Sequence, residues 1–500
     1  MKLFGGGKPD HPMTDAKEAR RILEGLPAQD AVKALEELAH WHESLSLAEG
    51  FRPEQRIELL LRVDDAAQAR VRKLTRDYLS QALGSRFQEN RLWTALHEYW
   101  RQAALALARS VDLFAQGEKG TEAARTALPL LLSRALRAAA QQIKWMHMRY
   151  GPSDYAVWGM LNRLYAYAES RQLAQASVTV YPGQPAQSSP WIEFARAALF
   201  SASGPEGLLP AEIDLAERIV GELAGRFAMA QAPAAELPYW TDLGKPMAPQ
   251  RPLQVPPPAP GLRCLGAGSA LAEVRLLGER IRATDALPAG LNLVPGDSAE
   301  EVLEVLEHLA LYWSPQAPER KHQRHRVSSL LTVANGLKGV MAILGNGPAS
   351  SAETWVIENV GAGGFGALVP KVNGDWLRVG ALVAIQPEGG SNWVVGLVRR
   401  VSKTPDQRAR VGIQTLSRAP AVSQFVVTGA RNASEQGVLL RSNDPASADI
   451  RIALRPGIFA PGQNLEATRA GRQHVYMPTR LGERGEDYEI GRFRELVREA

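Results

Sequence analysis

The spacing of apolar residues changes abruptly near Pro318, and this change constrains the fold more than any other feature of the 500-residue sequence. Before Pro318, apolar residues recur at intervals of three and four, which is the period of an amphipathic helix. After it, short runs rich in Val, Ile, Leu and Trp alternate with Gly, Asn, Pro and Ser, as strands do between tight turns. The sequence therefore predicts a multidomain α+β protein with an all-helical N-terminal half and an antiparallel β C-terminal half.

Residues 14–230 are predicted to form an all-helical domain that resembles an irregular helical array. The helical pattern covers Ala31–Leu47, Arg56–Leu83, Leu92–Phe114 and Ala123–Met148, with Pro129 near the start of a helix because proline disrupts a helix interior. Four tryptophans at helical spacing are predicted to lie in the core: Trp93, Trp100, Trp145 and Trp158. Helical arrays commonly present surfaces to other proteins, so we expect a protein partner for this domain.

One stretch of this domain resembles a single tetratricopeptide unit. Residues Trp158–Tyr165 fit the pattern W-x2-L-G-x2-Y with Asn162 in place of glycine, and Ala174 stands where that repeat keeps a small residue. No second copy follows at the repeat period of about 34 residues. An irregular helical array is therefore favoured over a true repeat domain.

Residues 231–262 are rich in proline and are predicted to be a linker without regular structure. Its first part carries Leu237, Tyr239, Trp240 and Leu243, apolar side chains that we expect to dock on a surface. Residues 263–318 are predicted to be a short helical segment formed by the pair Ala270–Thr284 and Ala299–Tyr312.

Beyond Pro318 the closely spaced strands favour a small antiparallel barrel at residues 319–427 and a β-rich extension at 428–500. Arg399 and Arg400 are predicted to lie at a barrel rim, and a short helix is predicted from Ile490. The candidate strands are Val327–Val333, Val340–Leu344, Trp355–Val360, Gly366–Val369, Leu382–Gln386, Trp393–Val401, Arg410–Leu416, Gln424–Val427, Gly437–Leu440, Ile450–Leu454 and Asn464–Arg469.

Positive charge is concentrated in residues 319–418, which hold 13 Lys and Arg against 6 Asp and Glu, whereas the whole chain has a net charge of +5. Its densest part is the cluster Arg320-Lys321-His322-Gln323-Arg324-His325-Arg326. Guanidinium groups bind phosphate and the acceptor edge of guanine in bidentate geometry. The cluster is either an anion site or a basic solvated face.

A glycine-rich turn, Asn359-Val360-Gly361-Ala362-Gly363-Gly364-Phe365-Gly366, follows a strand-like run. Glycines let the backbone approach a ligand closely. Residues 361–366 also match the dinucleotide fingerprint G-x-G-x-x-G, but that fingerprint opens a helix. Here Pro370, Gly374 and Trp376 follow, so a dinucleotide-binding fold is not indicated.

Nothing in the sequence indicates catalysis or a cofactor. No nucleophile and base stand at a recognisable spacing, no Cys/His cluster has zinc spacing, and the single cysteine, Cys264, is expected to be inert. The N-terminus lacks the apolar stretch of a signal peptide, and no run of about 18 apolar residues predicts a membrane span. We expect a cytoplasmic protein that is not an enzyme.

Residues 319–427 resemble a PilZ domain, the bacterial receptor module for cyclic di-GMP. Arg320-Lys-His-Gln-Arg324 fits the family's R-x-x-x-R pattern, and an alternative register uses His322 and Arg326, with Arg320 or Lys321 supplying the missing cation. Asn359-Val-Gly361-Ala-Gly-Gly364 fits the second pattern, [DN]-x-S-x-x-G, except that Gly361 replaces serine.

The resemblance implies a six-stranded barrel and a role for each matched residue. Guanidinium groups of Arg320, Arg324 and Arg326 would bind the phosphates and guanines of cyclic di-GMP, and the Asn359 amide would bond a guanine edge. Gly364 would permit the turn. Gly361 would offer a backbone N–H without the serine hydroxyl, a loss of about 1 kcal/mol.

We therefore expect a cyclic di-GMP effector that relays ligand occupancy to its helical region or a partner, in control of motility, pili, exopolysaccharide or virulence. Two alternatives remain at this point. One is a scaffold whose degenerate barrel binds protein only. The other is a single-stranded nucleic-acid binder with Trp355, Trp376 and Trp393 as stacking platforms. The concentration of charge near one cluster, instead of along a groove, disfavours it.

Overall fold

The computed structural model contains two compact units. The first comprises residues 1–149, 153–205 and 210–318, and the second comprises 150–152, 206–209 and 319–500. The residues that the structure describes are 10–81, 85–152, 154–183, 187–252, 254, 256–317, 319, 322–347, 352–406, 408–428, 433–441, 450–469 and 471–498.

The first unit is mainly helical, as the sequence predicts. Several helices begin at a side-chain cap: Asp30 accepts a hydrogen bond from the Lys33 N–H at 3.0 Å, and Ser298 and Glu301 form a reciprocal capping box. The helices are α1 (Ala16–Glu24), α2 (Ala31–Leu47), α3 (Pro53–Gln81), α4 (Arg86–Ala115), α5 (Leu128–His147), α6 (Tyr155–Ser170), α7 (Pro190–Ala202), α8 (Pro210–Leu223), α9 (Ala270–Thr284) and α10 (Ala299–Trp313).

Most of the predicted helices are confirmed. Pro129 lies in the first turn of α5, where a missing N–H costs nothing. Trp100, Trp145 and Trp158 are buried, while Trp93 is half-buried under the guanidinium of Arg149.

The tetratricopeptide resemblance ends with α6. Ala174 lies in a turn after this helix, and the next helix, α7, begins at Pro190. Val178 and Ser188 instead pair through an isolated antiparallel bridge. The second helix of a tetratricopeptide unit is therefore not formed, and the description as an irregular array holds.

A small antiparallel sheet overlaps the segment predicted to be an irregular linker. Strands β1 (Ala228–Ala230), β2 (Tyr239–Asp242) and β3 (Leu262–Gly266) pair in the order β1-β3-β2. The prediction of no regular structure is wrong here because the prolines fall outside β2. The predicted docking of its first part is confirmed, since Leu237 and Leu243 are buried.

Buried ion pairs join helices of the first unit. The Lys144 ammonium lies 2.6 Å from an Asp214 carboxylate oxygen and 3.3 Å from one of Glu217, and all three side chains are buried. Burial alone would raise the pKa of Glu217, but the Arg196 guanidinium and the Lys144 ammonium hold this pKa at about 2. These ion pairs connect α8 to both α5 and α7.

His42 on α2 is fully buried, and neither ring nitrogen has a hydrogen-bond partner within the described part of the chain. Burial, and then the positive charge of Arg134, lower the pKa of the imidazole to about 3. His42 is therefore a neutral core residue at physiological pH, packed edge-on against Tyr99.

The second unit contains a closed antiparallel barrel in the order β4-β5-β6-β9-β8-β7. Closure removes the exposed edges of an open sheet. Its elements are β4 (Arg324–Asn335), α11 (Gly336–Leu344), β5 (Glu353–Gly361), β6 (Gly364–Val369), β7 (Leu382–Pro387), β8 (Val394–Lys403) and β9 (Ala409–Ser417).

The β-rich extension is a second closed barrel, in the order β10-β11-β12-β15-β14-β13. The predicted boundary between the first barrel and the extension, after residue 427, falls at the end of β10. This strand pairs with β11 and β13 and therefore belongs to the second barrel. Its strands are β10 (Ala421–Val427), β11 (Ser434–Arg441), β12 (Ile450–Leu454), β13 (Leu465–Arg469), β14 (Arg472–Arg484) and β15 (Glu489–Arg498).

Two local predictions in the second unit are wrong. Val340–Leu344 belongs to helix α11, because Leu337, Val340 and Ile343 turn one apolar face into the core between the barrels. The helix predicted from Ile490 is strand β15, because pairing with β12 and β14 overrides the helix-forming Glu, Arg and Leu content.

The two barrels share a core. The cluster around α11 contains Leu382 and Val395 of the first barrel and Val438 and Ile490 of the second. At the start of α11 the carboxylate of Asp487 accepts a hydrogen bond from the Leu337 N–H at 2.6 Å. The second barrel thus caps a helix of the first, and the barrels form one packed body.

Candidate ligand-binding site

Strand pairing brings the two predicted motifs together. In the register of β4 and β5, Arg324 lies opposite Gly361 and Arg326 lies opposite Asn359. The strand begins at Arg324 and not at Val327 as predicted, so both arginines belong to it. Residues two apart on a strand share a face, and both side chains are exposed. The first barrel therefore presents two guanidinium groups beside the glycine turn.

A direct hydrogen bond joins the two motifs. An Arg324 Nη1–H donates to the Asn359 Oδ1 at 2.8 Å. The Asn359 amide lies over Gly366, since a Cβ at that glycine would be 2.6 Å from the amide nitrogen and 2.7 Å from the amide oxygen. The polar amide is thus held against bare backbone, where it can present donors and an acceptor to a base edge.

The outer face beside the amide lacks side chains over two further positions. Gly366 pairs with Asn359 on one side and with Gly412 of β9 on the other. A Cβ at Gly412 would contact Arg400 Cβ at 3.4 Å, an ordinary van der Waals distance. The row of Arg326, Asn359, Gly366 and Gly412 therefore carries no side chain of its own at its last two positions.

The turn between β5 and β6 requires glycine at position 364. Gly364 has φ +154°, and a Cβ there would lie 1.9 Å from the Ile413 carbonyl oxygen. Adjacent β6 and β9 therefore approach too closely for any side chain, in agreement with the turn role that the motif implies.

The structure gives a physical reason for glycine at position 361. A Cβ at Gly361 would lie 2.8 Å from the Gln323 carbonyl oxygen and 3.2 Å from Arg324 Cγ. The first of these contacts is with backbone, which cannot rotate away. The serine of the family motif therefore does not fit here without movement of the start of β4.

The structure describes only some of the remaining residues of the basic cluster. Arg320 and Lys321 lie outside the described residues, so both registers of the R-x-x-x-R pattern stay open. The imidazole of His322 lies close to the turn, because a Cβ at Gly363 would be 2.9 Å from His322 Cδ2. The described cations at the site therefore include Arg324 and Arg326, with His322 adjacent.

Arg418 also lies beside the glycine turn, although neither sequence motif contains it. Its Nη2–H donates to the Ala362 carbonyl oxygen at 3.0 Å, within the turn. Arg418 follows β9 directly, and the turn lies 56 residues earlier in the chain. No sequence pattern connects two positions so far apart, and the strand pairing of β6 with β9 is what joins them.

Arg399 and Arg400 lie within β8 and not at its end as predicted. Both are exposed near a register shift between Val398 and Arg400. Arg399 Nε–H donates to Gln414 Oε1 at 2.7 Å, and its guanidinium also pairs with Glu483 of the second barrel at 2.5 Å. Arg400 pairs with Gly412, so these arginines lie on the opposite side of Gly412 from Gly366.

The tryptophans proposed as stacking platforms are unsuitable for that role. Trp355 is buried and stacks on Trp376 with ring centroids 5.8 Å apart, and both indole N–H groups donate to Glu353. Trp393 packs against the core between the barrels. The nucleic-acid hypothesis loses the surface aromatics on which it depended.

The parts of the chain that the structure describes bear on two further classes of feature, a metal site and a membrane span. They contain no group of three or more His, Cys, Asp or Glu side chains placed to hold a metal ion. Within the same residues no helix is long and apolar enough to cross a membrane. Burial raises the pKa of the Cys264 thiol, which keeps it protonated.

Comparison with known proteins finds a related domain in the helical half. Residues 17–234 match the family model described as "Cyclic-di-GMP receptor FimW, N-terminal domain". The match covers less than half of the chain and lies outside residues 319–427, so the resemblance of the barrel to PilZ remains a prediction. The ligand in the family's description is the one that the barrel motifs independently predict. No curated protein matches the chain.

Proposed function

We propose that this protein is a non-enzymatic receptor that binds cyclic di-GMP on the outer face of its first barrel. The observation that carries the proposal is the pairing of Arg324 and Arg326 with Gly361 and Asn359 across two neighbouring strands. A cationic pair, a base-reading amide and bare glycine backbone then meet at one place. The match of residues 17–234 to a receptor family for the same nucleotide independently supports the identity of the ligand.

Each group has a chemical role toward a cyclic dinucleotide, which carries two phosphates and two guanines. Arg324 and Arg326 bind phosphate oxygens or the O6 and N7 acceptors of guanine, for which the guanidinium fork is suited and an ammonium is not. The Asn359 amide bonds a guanine edge. The absence of a side chain at Gly366 lets the Asn359 amide lie flat against the sheet.

Local charge favours the same ligand. Residues 319–418 carry seven more positive than negative side chains, which is more than the net charge of the whole chain. Such a field raises the rate at which anions reach the surface, and the effect weakens with ionic strength. The helical residues 14–230 provide the surface through which occupancy is reported to a protein partner, with motility, pili, exopolysaccharide or virulence as the outputs.

Isothermal titration calorimetry of the full-length protein tests the proposal, with GTP and cyclic GMP as control ligands. Micromolar or tighter binding that is selective for cyclic di-GMP is expected. The double variant Arg324→Ala/Arg326→Ala should weaken binding at least 100-fold, because each charged hydrogen bond contributes about 1.5–3 kcal/mol.

The matched control is Arg472→Ala/Arg480→Ala on β14, which removes the same charge from exposed positions of the second barrel. It should leave the affinity within about twofold of wild type. Absence of cyclic di-GMP binding by the wild-type protein overturns the proposal and favours a scaffold that binds only protein. An equal loss of affinity in both double variants would mean that the ligand is attracted only by unspecific positive charge.

A further inference from the structure

The glycine turn has cations on two sides, and the second side belongs to no motif. Arg324 and Arg326 approach from β4, whereas Arg418 approaches from the end of β9 and donates to the Ala362 carbonyl at 3.0 Å. Arg418 is exposed. A guanidinium carries five N–H donors, so it can hold a carbonyl oxygen and an anion at once.

The backbone fixes the base of Arg418 relative to the turn. Gly364 pairs with Gln414, and the Thr415 N–H donates to the Gly363 carbonyl oxygen at 3.0 Å. These bonds hold the last residues of β9 against the turn, three positions before Arg418. The placement of Arg418 therefore follows from strand register, and its side chain needs little ordering to reach an anion on the turn.

Arg418 also stands at the junction of the two barrels. Ser417 ends β9 and Ala421 begins β10, so residues 418–420 are the connector between the barrels. From the second barrel, Arg451 Nη2–H donates to the Leu416 carbonyl oxygen at 2.6 Å. Arg418 therefore leads directly into β10 and lies two residues from the carbonyl that Arg451 contacts.

We propose that Arg418 is a third anion-binding residue of the cyclic di-GMP site and that, through it, the ligand contacts the connector between the barrels. This inference rests on the proposed function and adds a residue that neither sequence motif contains. A cyclic dinucleotide has two phosphates, so cations on both sides of the turn allow one ligand to be held across it. Occupancy then orders the connector and is reported to the second barrel.

The test measures cyclic di-GMP affinity of full-length Arg418→Ala and Arg418→Lys, with Arg472→Ala as the control for loss of one charge. Arg418→Ala should weaken binding about tenfold, the loss expected for one charged hydrogen bond. Arg418→Lys keeps the charge without the planar fork and should show a smaller loss. Arg472→Ala should remain within twofold of wild type.

Two readouts separate ligand contact from a merely structural bond to the turn. If Arg418 binds phosphate, the fall in affinity with rising salt should be shallower in Arg418→Ala than in wild type. If it only supports the turn, the salt dependence should be unchanged and the melting temperature should fall. Hydrogen exchange gives the second readout: the ligand should slow exchange in residues 418–427 of wild type but not of Arg418→Ala.

The outcomes distinguish this inference from the proposed function. If the wild-type protein does not bind cyclic di-GMP, both the proposed function and the role of Arg418 are wrong. Binding that is lost in Arg324→Ala/Arg326→Ala but unchanged in Arg418→Ala preserves the receptor and overturns the role of Arg418. A weakened Arg418→Ala with unchanged salt dependence and a lower melting temperature also overturns it, because Arg418 then acts on the turn alone.

Discussion

Replacing Gly361 with serine would give this chain the hydroxyl that the PilZ motif carries at this position. From the sequence alone, the added hydrogen bond should strengthen ligand binding by about 1 kcal/mol. The structure predicts the opposite sign. The new Cβ would lie 2.8 Å from the Gln323 carbonyl oxygen and 3.2 Å from Arg324 Cγ, closer than side chains tolerate.

The size of the effect follows from these contacts. Overpacking against backbone costs about 1–3 kcal/mol, and relief requires the start of β4 to move away from β5. That movement displaces Arg324, which is bonded to Asn359 at 2.8 Å. The strain should lower the melting temperature by about 2–4 °C per kcal/mol for a unit of this size. Affinity should fall about tenfold, since a displaced charged hydrogen bond exceeds the new neutral one.

Calorimetry and thermal denaturation of Gly361→Ser measure both effects, and the neighbouring Gly363→Ser provides the matched control. At Gly363 the nearest atom to an added Cβ is His322 Cδ2 at 2.9 Å, in a side chain that can rotate away. Gly363→Ser should therefore melt close to wild type. Tighter binding by Gly361→Ser with an unchanged melting temperature would refute the steric account and restore the expectation from the motif.

Three further outcomes test the fold around the site and in the helical unit. Gly364→Ala should destabilise the first barrel by about 2–4 kcal/mol in chemical denaturation, because its Cβ would meet the Ile413 carbonyl, while Gly412→Ala should cost less than about 1 kcal/mol. Burial depresses the pKa of His42 to about 3, so its contribution to stability is complete above pH 6.5 and is lost as pH falls toward 3. The free energy of unfolding of wild type should therefore fall more steeply over this range than that of His42→Leu, by about 1.4 kcal/mol per pH unit. Lys144→Met leaves two buried carboxylates without their ammonium and should lower the free energy of unfolding by about 3–5 kcal/mol, whereas an unchanged midpoint would contradict the buried pairing.

Local patterns predicted the elements whose structure is decided locally. The periodicity of Ala31–Leu47 and Ala270–Thr284 predicts the first and last residue of both helices correctly, because each has one apolar face. The predicted pair of motifs around Arg324 and Asn359 is also brought together, since the intervening chain returns β5 antiparallel to β4.

The predictions that fail concern elements that are held in place by residues distant in the chain. At the start of helix α11 the Leu337 N–H donates a hydrogen bond to Asp487, 150 residues away, and no local pattern reports that contact. Strand β14 was not predicted, since its charged sequence matches no apolar alternation; pairing with β13 and β15 holds it in place.

Residue chemistry predicts the type of the proposed site, whereas strand register decides which further residues lie beside it. Residue chemistry pointed to Arg324, Arg326 and Asn359, because arginine forks and an amide suit a guanine nucleotide. Arg418 belongs to neither motif, since its relation to the turn depends on the register of β6 and β9. The fit of Gly361 against Gln323 depends likewise on how closely two strands approach, which sequence spacing does not report.

The most direct test of the central claim is to locate the ligand by hydrogen–deuterium exchange on the full-length protein with and without cyclic di-GMP. We expect slower exchange at residues 322–326 and 359–366, and loss of this effect in Arg324→Ala/Arg326→Ala. Protection confined to residues 17–234, the region that matches the receptor family, would contradict a binding site on the barrel and place the ligand in the helical half.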